Sequence, residues 1–208
     1  MTRTDKTQPL ARRLAARKSQ KGYSIIELSI ALAIVSIILV TALTGVQRIL
    51  RSNKVNEDLK GLNLAASKIG VMLSNVQTTT GITQGNLVAL RVFEDFRVNT
   101  ATNTVTNAFG GNITVAPNTN ALGTVPAQGG LIIYSSAIPP EVCSDYISGL
   151  APISSHISAT NAAAPAVNGG VYTDVVKTNL APITIAGLAT ACTAGAGQTI
   201  TVAALVTR

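Results

Sequence analysis

The sequence predicts an α+β protein in which a long N-terminal spine helix packs on a small, mainly antiparallel sheet. Three patterns support this prediction. They are an uninterrupted apolar run near the N-terminus, an amphipathic repeat that continues it, and a C-terminal body whose short β-branched runs end at Gly or Asn. Hydrophobic residues make up 47% of the chain and charged residues 12%, a composition too apolar for a disordered protein.

The positive charge of the chain is concentrated at its N-terminus. Residues 1–22 contain seven bases and one acid, whereas the formal net charge of the whole chain is +7. The remaining residues are therefore nearly neutral and offer no broad basic surface for a phosphate backbone. We expect no nucleic-acid partner.

The few reactive side chains argue against catalysis and metal binding. One histidine, His156, and two cysteines, Cys143 and Cys192, show no metal-ligand spacing. Phosphate-binding, dinucleotide-binding and hydrolase motifs are absent from the sequence. His156 lies in a polar, Ser-rich stretch, which predicts a surface loop. The sequence thus predicts a protein that is not an enzyme and has no catalytic residues, cofactor or metal.

The apolar run is long enough to span a membrane. Residues 28–47 carry no charge, and as a helix they would extend about 30 Å, the thickness of a bilayer core. The basic segment before the run predicts a single pass with the N-terminus in the cytoplasm. Hydropathy alone leaves three alternatives open: a cleaved secretory signal with its cut near Ala42, an uncleaved signal anchor, and a buried core helix.

Glu27 lies at the entrance to this run. Ser24 and Glu27 have the spacing of a capping box, with Ser24 as the N-cap. A carboxylate there also interacts favourably with the positive end of the helix. An acid in a membrane-spanning helix is otherwise costly and indicates a functional position. The residue alone fits either interpretation.

The residues around Glu27 resemble the signal of type IV prepilins. Residues 21–28 read Lys-Gly-Tyr-Ser-Ile-Ile-Glu-Leu and follow a basic leader. In that family a prepilin peptidase cuts after the Gly, the new N-terminal residue is methylated, and the fifth mature residue is Glu. The resemblance implies cleavage between Gly22 and Tyr23 and N-methylation of Tyr23. It also implies that Glu27 pairs with the α-amino group of a neighbouring subunit during assembly.

Further features of the resemblance favour the type IVb group, the bundle-forming and toxin-coregulated-like pilins. The leader 1–22 is long, and Tyr23 replaces the Phe that is usual in type IVa pilins. Segments 107–115 and 189–192 also resemble segments of bundle-forming-type pilins. The resemblance implies the type IV pilin fold.

The helical pattern continues beyond the membrane segment. Its apolar residues recur at spacings of three and four and so share one face; they are Val55, Leu59, Leu62, Ala66, Ile69, Leu73 and Val76. The charged residues of this segment, Asp58 among them, largely avoid that face. We expect the stripe to pack on the C-terminal head, a coiled coil being the alternative.

The head is predicted to contain short strands and two short helices. The strand candidates are residues 87–92, 113–115, 131–134, 171–176 and 199–206, and the helix candidates are 141–147 and 182–192. Each cysteine falls in one of the two helix candidates. Export to an oxidising compartment favours a Cys143–Cys192 disulfide over two buried thiols, and pilins typically carry one such C-terminal disulfide.

Four segments follow from these observations. They are a cleaved leader 1–22, a transmembrane and assembly helix 23–47, an amphipathic helix half 48–77, and a globular head 78–208 with the disulfide region 143–192. We expect a precursor in the inner membrane and, after assembly, a subunit of a surface pilus.

The predicted function is that of a structural subunit of a type IVb pilus used in adhesion, aggregation or conjugation. Its expected partners are identical subunits in a helical homopolymer, the prepilin peptidase and the assembly platform of the inner membrane. A minor pilin or a type II secretion pseudopilin shares the same signal. A secreted binding protein or adhesin with an ordinary signal peptide is the alternative of another class.

Overall fold

The computed structural model describes residues 22–76, 78–162, 169–179, 181–194 and 198–207. Nearly all of the leader 1–22 therefore lies outside the described residues. The chain divides into two compact units, Met1–Val46 and Gln47–Arg208. The first helix among the described residues, α1, covers Ile25–Ser74 and contributes residues to both units.

In the second unit, one face of α1 is buried. Its buried residues are Val55, Asp58, Gly61, Leu62, Ala65, Ala66, Ile69 and Leu73. This confirms the apolar stripe, although the helix ends at Ser74 and Val76 beyond it is exposed. The prediction was wrong for Asp58, which is 1% exposed. Asp58 follows Val55 by three positions and precedes Leu62 by four, so helical geometry places it on the buried face.

Seven strands form one sheet in the described part of the chain. They are β1 (Arg97–Asn99), β2 (Thr104–Thr106), β3 (Asn112–Pro117), β4 (Gly130–Ile138), β5 (His156–Thr160), β6 (Asp174–Lys177) and β7 (Ile200–Thr207). Their order across the sheet is β1-β2-β3-β4-β7-β5-β6. Each neighbouring pair is antiparallel. The α+β class and the antiparallel sheet are therefore confirmed.

Among its described residues, the head also has three short helices: α2 (Gln84–Ala89), α3 (Pro140–Leu150) and α4 (Ile185–Ala191). The predicted helix 141–147 is confirmed by α3, and 182–192 contains the shorter α4. The strand predicted at 87–92 was wrong, because α2 and a turn occupy it. Thr83 caps α2 through a capping box with Asn86, and this local hydrogen bonding outweighs the β-branched composition.

The strand predictions hold best in the middle of the sheet. Candidates 113–115, 131–134 and 199–206 match β3, β4 and β7, whereas 171–176 overlaps β6 only from Asp174. Strands β1, β2 and β5 were not predicted. The surface-loop prediction for His156 was wrong, since it is 7% exposed and begins β5. Pairing of β5 with both β6 and β7 buries this polar stretch inside the sheet.

The two faces of the sheet bury different sets of side chains. On one face, residues of the sheet share the main core with α1, α2 and α3. On the other, a small cluster of Ile132, Tyr134, Ala203 and Leu205 is covered by loop residues that include Val125. Because β4 is buried on both faces, it reads as a continuous apolar run, which explains its clear sequence signal.

Candidate assembly site

The predicted cleavage junction is sterically open. Gly22, Tyr23 and Ser24 are exposed and precede the first helical residue, Ile25. A Cβ added at Gly22 would meet no atom within 4 Å, and Tyr23 is 82% exposed. The backbone N–H of Leu28 donates to the Ser24 carbonyl at 3.0 Å, which closes the first turn of α1. Nothing within the described residues covers the bond between Gly22 and Tyr23.

Glu27 lies in the first turn of α1 and is exposed. Within the described residues, the Ser24 hydroxyl and the Glu27 carboxylate make no side-chain hydrogen bond, and Glu27 forms no ion pair. The capping box, one of the two interpretations of Glu27 that the sequence allowed, is therefore not formed. The carboxylate is left available for an external partner.

Every residue of α1 in the first unit, from Ile25 to Val46, is exposed. The exposed side chains are mostly large and aliphatic; among them are Ile26 (71%), Ile30 (57%), Ile34 (54%), Ile38 (59%) and Leu43 (63%). By length and composition alone, this helix is able to cross a membrane. An exposed apolar surface of this extent requires a lipid or protein environment.

The hydroxyl side chains of this segment are compatible with such an environment. Ser29 donates to the Ile26 carbonyl at 2.8 Å, Ser36 to the Leu32 carbonyl at 2.7 Å, and Thr44 to the Thr41 carbonyl at 2.8 Å. Thr41 likewise donates to its own helix. Since each hydroxyl is satisfied within the helix, it imposes little desolvation cost. Glu27 is then the one side chain between Ile25 and Gln47 that carries charge.

The two cysteines are joined by a disulfide with a Cα–Cα distance of 5.6 Å. Cys143 lies in α3 and is fully buried, while Cys192 is the C-cap of α4. The bond therefore joins the same pair that the sequence favoured. The bond attaches the C-terminal end of α4 to the buried part of α3.

A buried polar site on α1 was missed in the sequence. The Asp58 Oδ1 accepts a hydrogen bond from the backbone N–H of Ala108 at 2.7 Å, whereas its Oδ2 is buried without a partner. Burial raises the pKa of Asp58 to about 6, and Glu57 adds to this rise. The Ala108 hydrogen bond and Lys54 oppose it. The spacing of Asp58 from Val55 and Leu62 was the available signal.

Two family profiles match this chain. The profile of the PilS N-terminal family matches residues 52–205, and the profile of the prokaryotic N-terminal methylation motif matches residues 17–43. Comparison with curated proteins finds no significant match.

Two solved pilin structures are similar to the chain. The type IVb pilin from Salmonella typhi is 17% identical over 71% of this chain and 96% of its own, with a TM-score of 0.49. TcpA, a type IV pilin from Vibrio cholerae El Tor biotype, is 15% identical over 74% of this chain and 98% of its own, with a TM-score of 0.53. The likeness to TcpA shows a shared fold. Because the PilS profile spans most of the residues, this chain belongs to the PilS N-terminal family, a family of type IVb pilins.

Proposed function

We propose that this protein is a pilus subunit that polymerises through the N-terminal part of α1. The observation that carries the proposal is the helix segment from Ile25 to Val46, in which every residue is exposed and Glu27 alone is charged. Burial of aliphatic side chains contributes about 1.5–3 kcal/mol each. Association of these helices in a filament core therefore supplies a large driving force once the segment leaves the membrane.

Processing precedes assembly in this proposal. The precursor spans the inner membrane once with its N-terminus in the cytoplasm, and prepilin peptidase cuts after Gly22. The new N-terminus at Tyr23 is then methylated. The open surroundings of Gly22 and the match of residues 17–43 to the methylation motif support this order. The assembly platform of the inner membrane then receives the mature chain.

Glu27 sets the axial register between subunits. In a filament core of low dielectric, an unpaired carboxylate is strongly unfavourable, so a growing filament accepts a subunit only where Glu27 meets a cation. The α-amino group of Tyr23 on a neighbouring subunit provides one. The head, with its neutral, Thr- and Asn-rich surface, forms the outside of a fibre that serves adhesion, aggregation or conjugation.

The replacement Glu27→Ala tests this role. We expect the variant to enter the membrane and to be processed but to yield few or no sheared surface fibres, since nothing then selects the register. The amount of the chain in the sheared fraction and in the membrane is measured by quantitative immunoblot. Glu57→Ala is the matched control, because Glu57 is an exposed acid on the same helix outside the apolar segment. Normal fibres from Glu27→Ala would contradict the proposal.

A further inference from the structure

Asp58 occupies an unusual position for a carboxyl group. It is 1% exposed and faces the head from α1. One oxygen accepts a hydrogen bond from the Ala108 N–H at 2.7 Å, and the other is buried with no hydrogen-bond partner. A buried carboxylate that is only half paired is costly, whereas the neutral acid in the same position costs less because it carries no charge.

The hydrogen bond from Ala108 links α1 to the turn between β2 and β3. This turn, residues 107–111, is held together by Asn107, whose Oδ1 accepts from the backbone N–H groups of Phe109 at 3.1 Å and Gly111 at 2.7 Å. The Asn107 Nδ2 donates to Ser135 Oγ of β4 at 3.1 Å. The turn is thus fastened to the sheet by Asn107 and to α1 by Asp58.

Tyr146 of α3 completes the surroundings of this turn. Its hydroxyl donates to the same Ser135 Oγ at 2.8 Å. Its ring packs edge-to-face on Phe109, with the two ring centroids 6.5 Å apart. Lys54 lies over the same Phe109 ring, with its Nζ 5.9 Å from the ring centroid. The turn is therefore packed between α1, α3 and β4.

The titratable groups that face Asp58 come from each surrounding element. Lys54 and Glu57 on α1, Asp95 before β1 and Arg97 on β1 line the same cleft of about 520 Å³, and Tyr146 approaches from α3. None of them forms a hydrogen bond or ion pair with Asp58 in the described part of the chain. Burial, with a smaller contribution from the Glu57 charge, outweighs the Ala108 hydrogen bond and the Lys54 charge, and it raises the pKa of Asp58 from 3.8 to about 6.

We propose that Asp58 makes the packing of the 107–111 turn against α1 tighter in mild acid than at neutral pH. When the turn separates from α1, water reaches the carboxyl group of Asp58, and its pKa returns to the ordinary range of an aspartate. The packed state therefore binds a proton at a pH where the separated state does not. Acidification from neutral pH to pH 5 favours the packed state, and raising the pH through 6 weakens it.

Hydrogen exchange of the Ala108 amide tests this proposal directly. The full chain in detergent is compared at pH 5 and pH 8, with rates corrected for the intrinsic pH dependence of exchange. We expect the protection of Ala108 to be about tenfold higher at pH 5. Asp58→Asn should show no such change, because the amide side chain does not titrate.

Glu57→Gln is the matched control for this measurement. Glu57 is the neighbouring, exposed acid whose charge adds to the rise in the Asp58 pKa, so its variant should keep the direction of the wild-type pH response with a somewhat smaller amplitude. A local amide is a better reporter than global stability, since burial lowers the pKa of His156 and gives global stability an opposing pH dependence. Equal protection of Ala108 at both pH values in the wild type, or the same change in Asp58→Asn, would overturn the proposal.

A second measurement applies if Asp58→Asn does not fold. The side-chain carboxyl carbons of the wild-type protein are labelled, and the titration of Asp58 is followed by nuclear magnetic resonance. A midpoint near pH 6 supports the proposal, while a midpoint at or below pH 4 refutes it.

Discussion

At the scale of single residues, Gly111 in the head and Gly70 in α1 have opposite effects on stability. A Cβ added at Gly111 would lie 2.0 Å from the backbone carbonyl oxygen of Ser136, so β4 itself would have to move. A Cβ at Gly70, inside α1, would meet no atom within 4 Å. Glycine is therefore needed at Gly111 for close approach of the turn to β4, whereas at Gly70 it only weakens the helix.

We predict effects of opposite sign from alanine at these positions. Gly70→Ala should raise the free energy of unfolding by about 1 kcal/mol, because alanine restricts the unfolded chain and favours the helix. Gly111→Ala should lower it by about 1–3 kcal/mol through overpacking. Denaturant unfolding of both variants in detergent provides the measurement. A stabilising Gly111→Ala would show that the turn does not approach β4 closely.

At the scale of secondary-structure elements, α4 buries little of its own side-chain surface in the head. Of its residues, Ala191 alone is buried, and its packing is against β6, β5 and α3. The disulfide from Cys192 to the buried Cys143 therefore supplies much of its attachment. The same bond closes a loop of 49 residues in sequence, which restricts the unfolded chain.

We predict that the double variant Cys143→Ser/Cys192→Ser loses about 2–5 kcal/mol of unfolding free energy. Amide exchange should increase first in α4, while the amides of β4 and β7 stay protected. Reductant should destabilise the wild type similarly and should leave the double variant unchanged. Unchanged exchange in α4 after loss of the bond would mean that packing alone holds this helix.

At the scale of the whole molecule, we expect maturation to depend on Gly22, because the proposed cut lies between this residue and Tyr23, both of which are exposed shortly before α1. Gly22→Val should leave uncleaved precursor in the membrane and no chain in sheared fibres. Gly45→Val is the control, since Gly45 also has no atom within 4 Å of its Cβ position but lies inside the apolar segment. It should be processed normally.

Intact mass and N-terminal sequencing of the sheared fraction measure this outcome. The mature wild-type chain should begin at Tyr23, carry one added methyl group, and lack the two hydrogens lost on disulfide formation. A chain that begins near Ala42 would instead indicate an ordinary secreted domain.

Local sequence patterns predicted those elements that carry the same signal along most of their length. The apolar run of α1, the buried β4 and the Pro-initiated α3 each repeat a single signal over many residues, so periodicity and length identify them. The strand prediction at 87–92 failed because the capping box between Thr83 and Asn86 starts α2 there, in spite of the β-branched composition. Short β1 and β2 lack enough residues to display a period.

By itself, the sequence determined the apolar helix and the isolated charge of Glu27, and it predicted the cleavage junction after Gly22, because each depends on residues adjacent in the chain. The tertiary structure alone decided the surroundings of Asp58 and His156. Ala108 lies 50 positions from Asp58 in the chain. His156 is paired with Leu205 of β7, which lies near the C-terminus. Burial of a polar group depends on such distant partners, which no local period encodes.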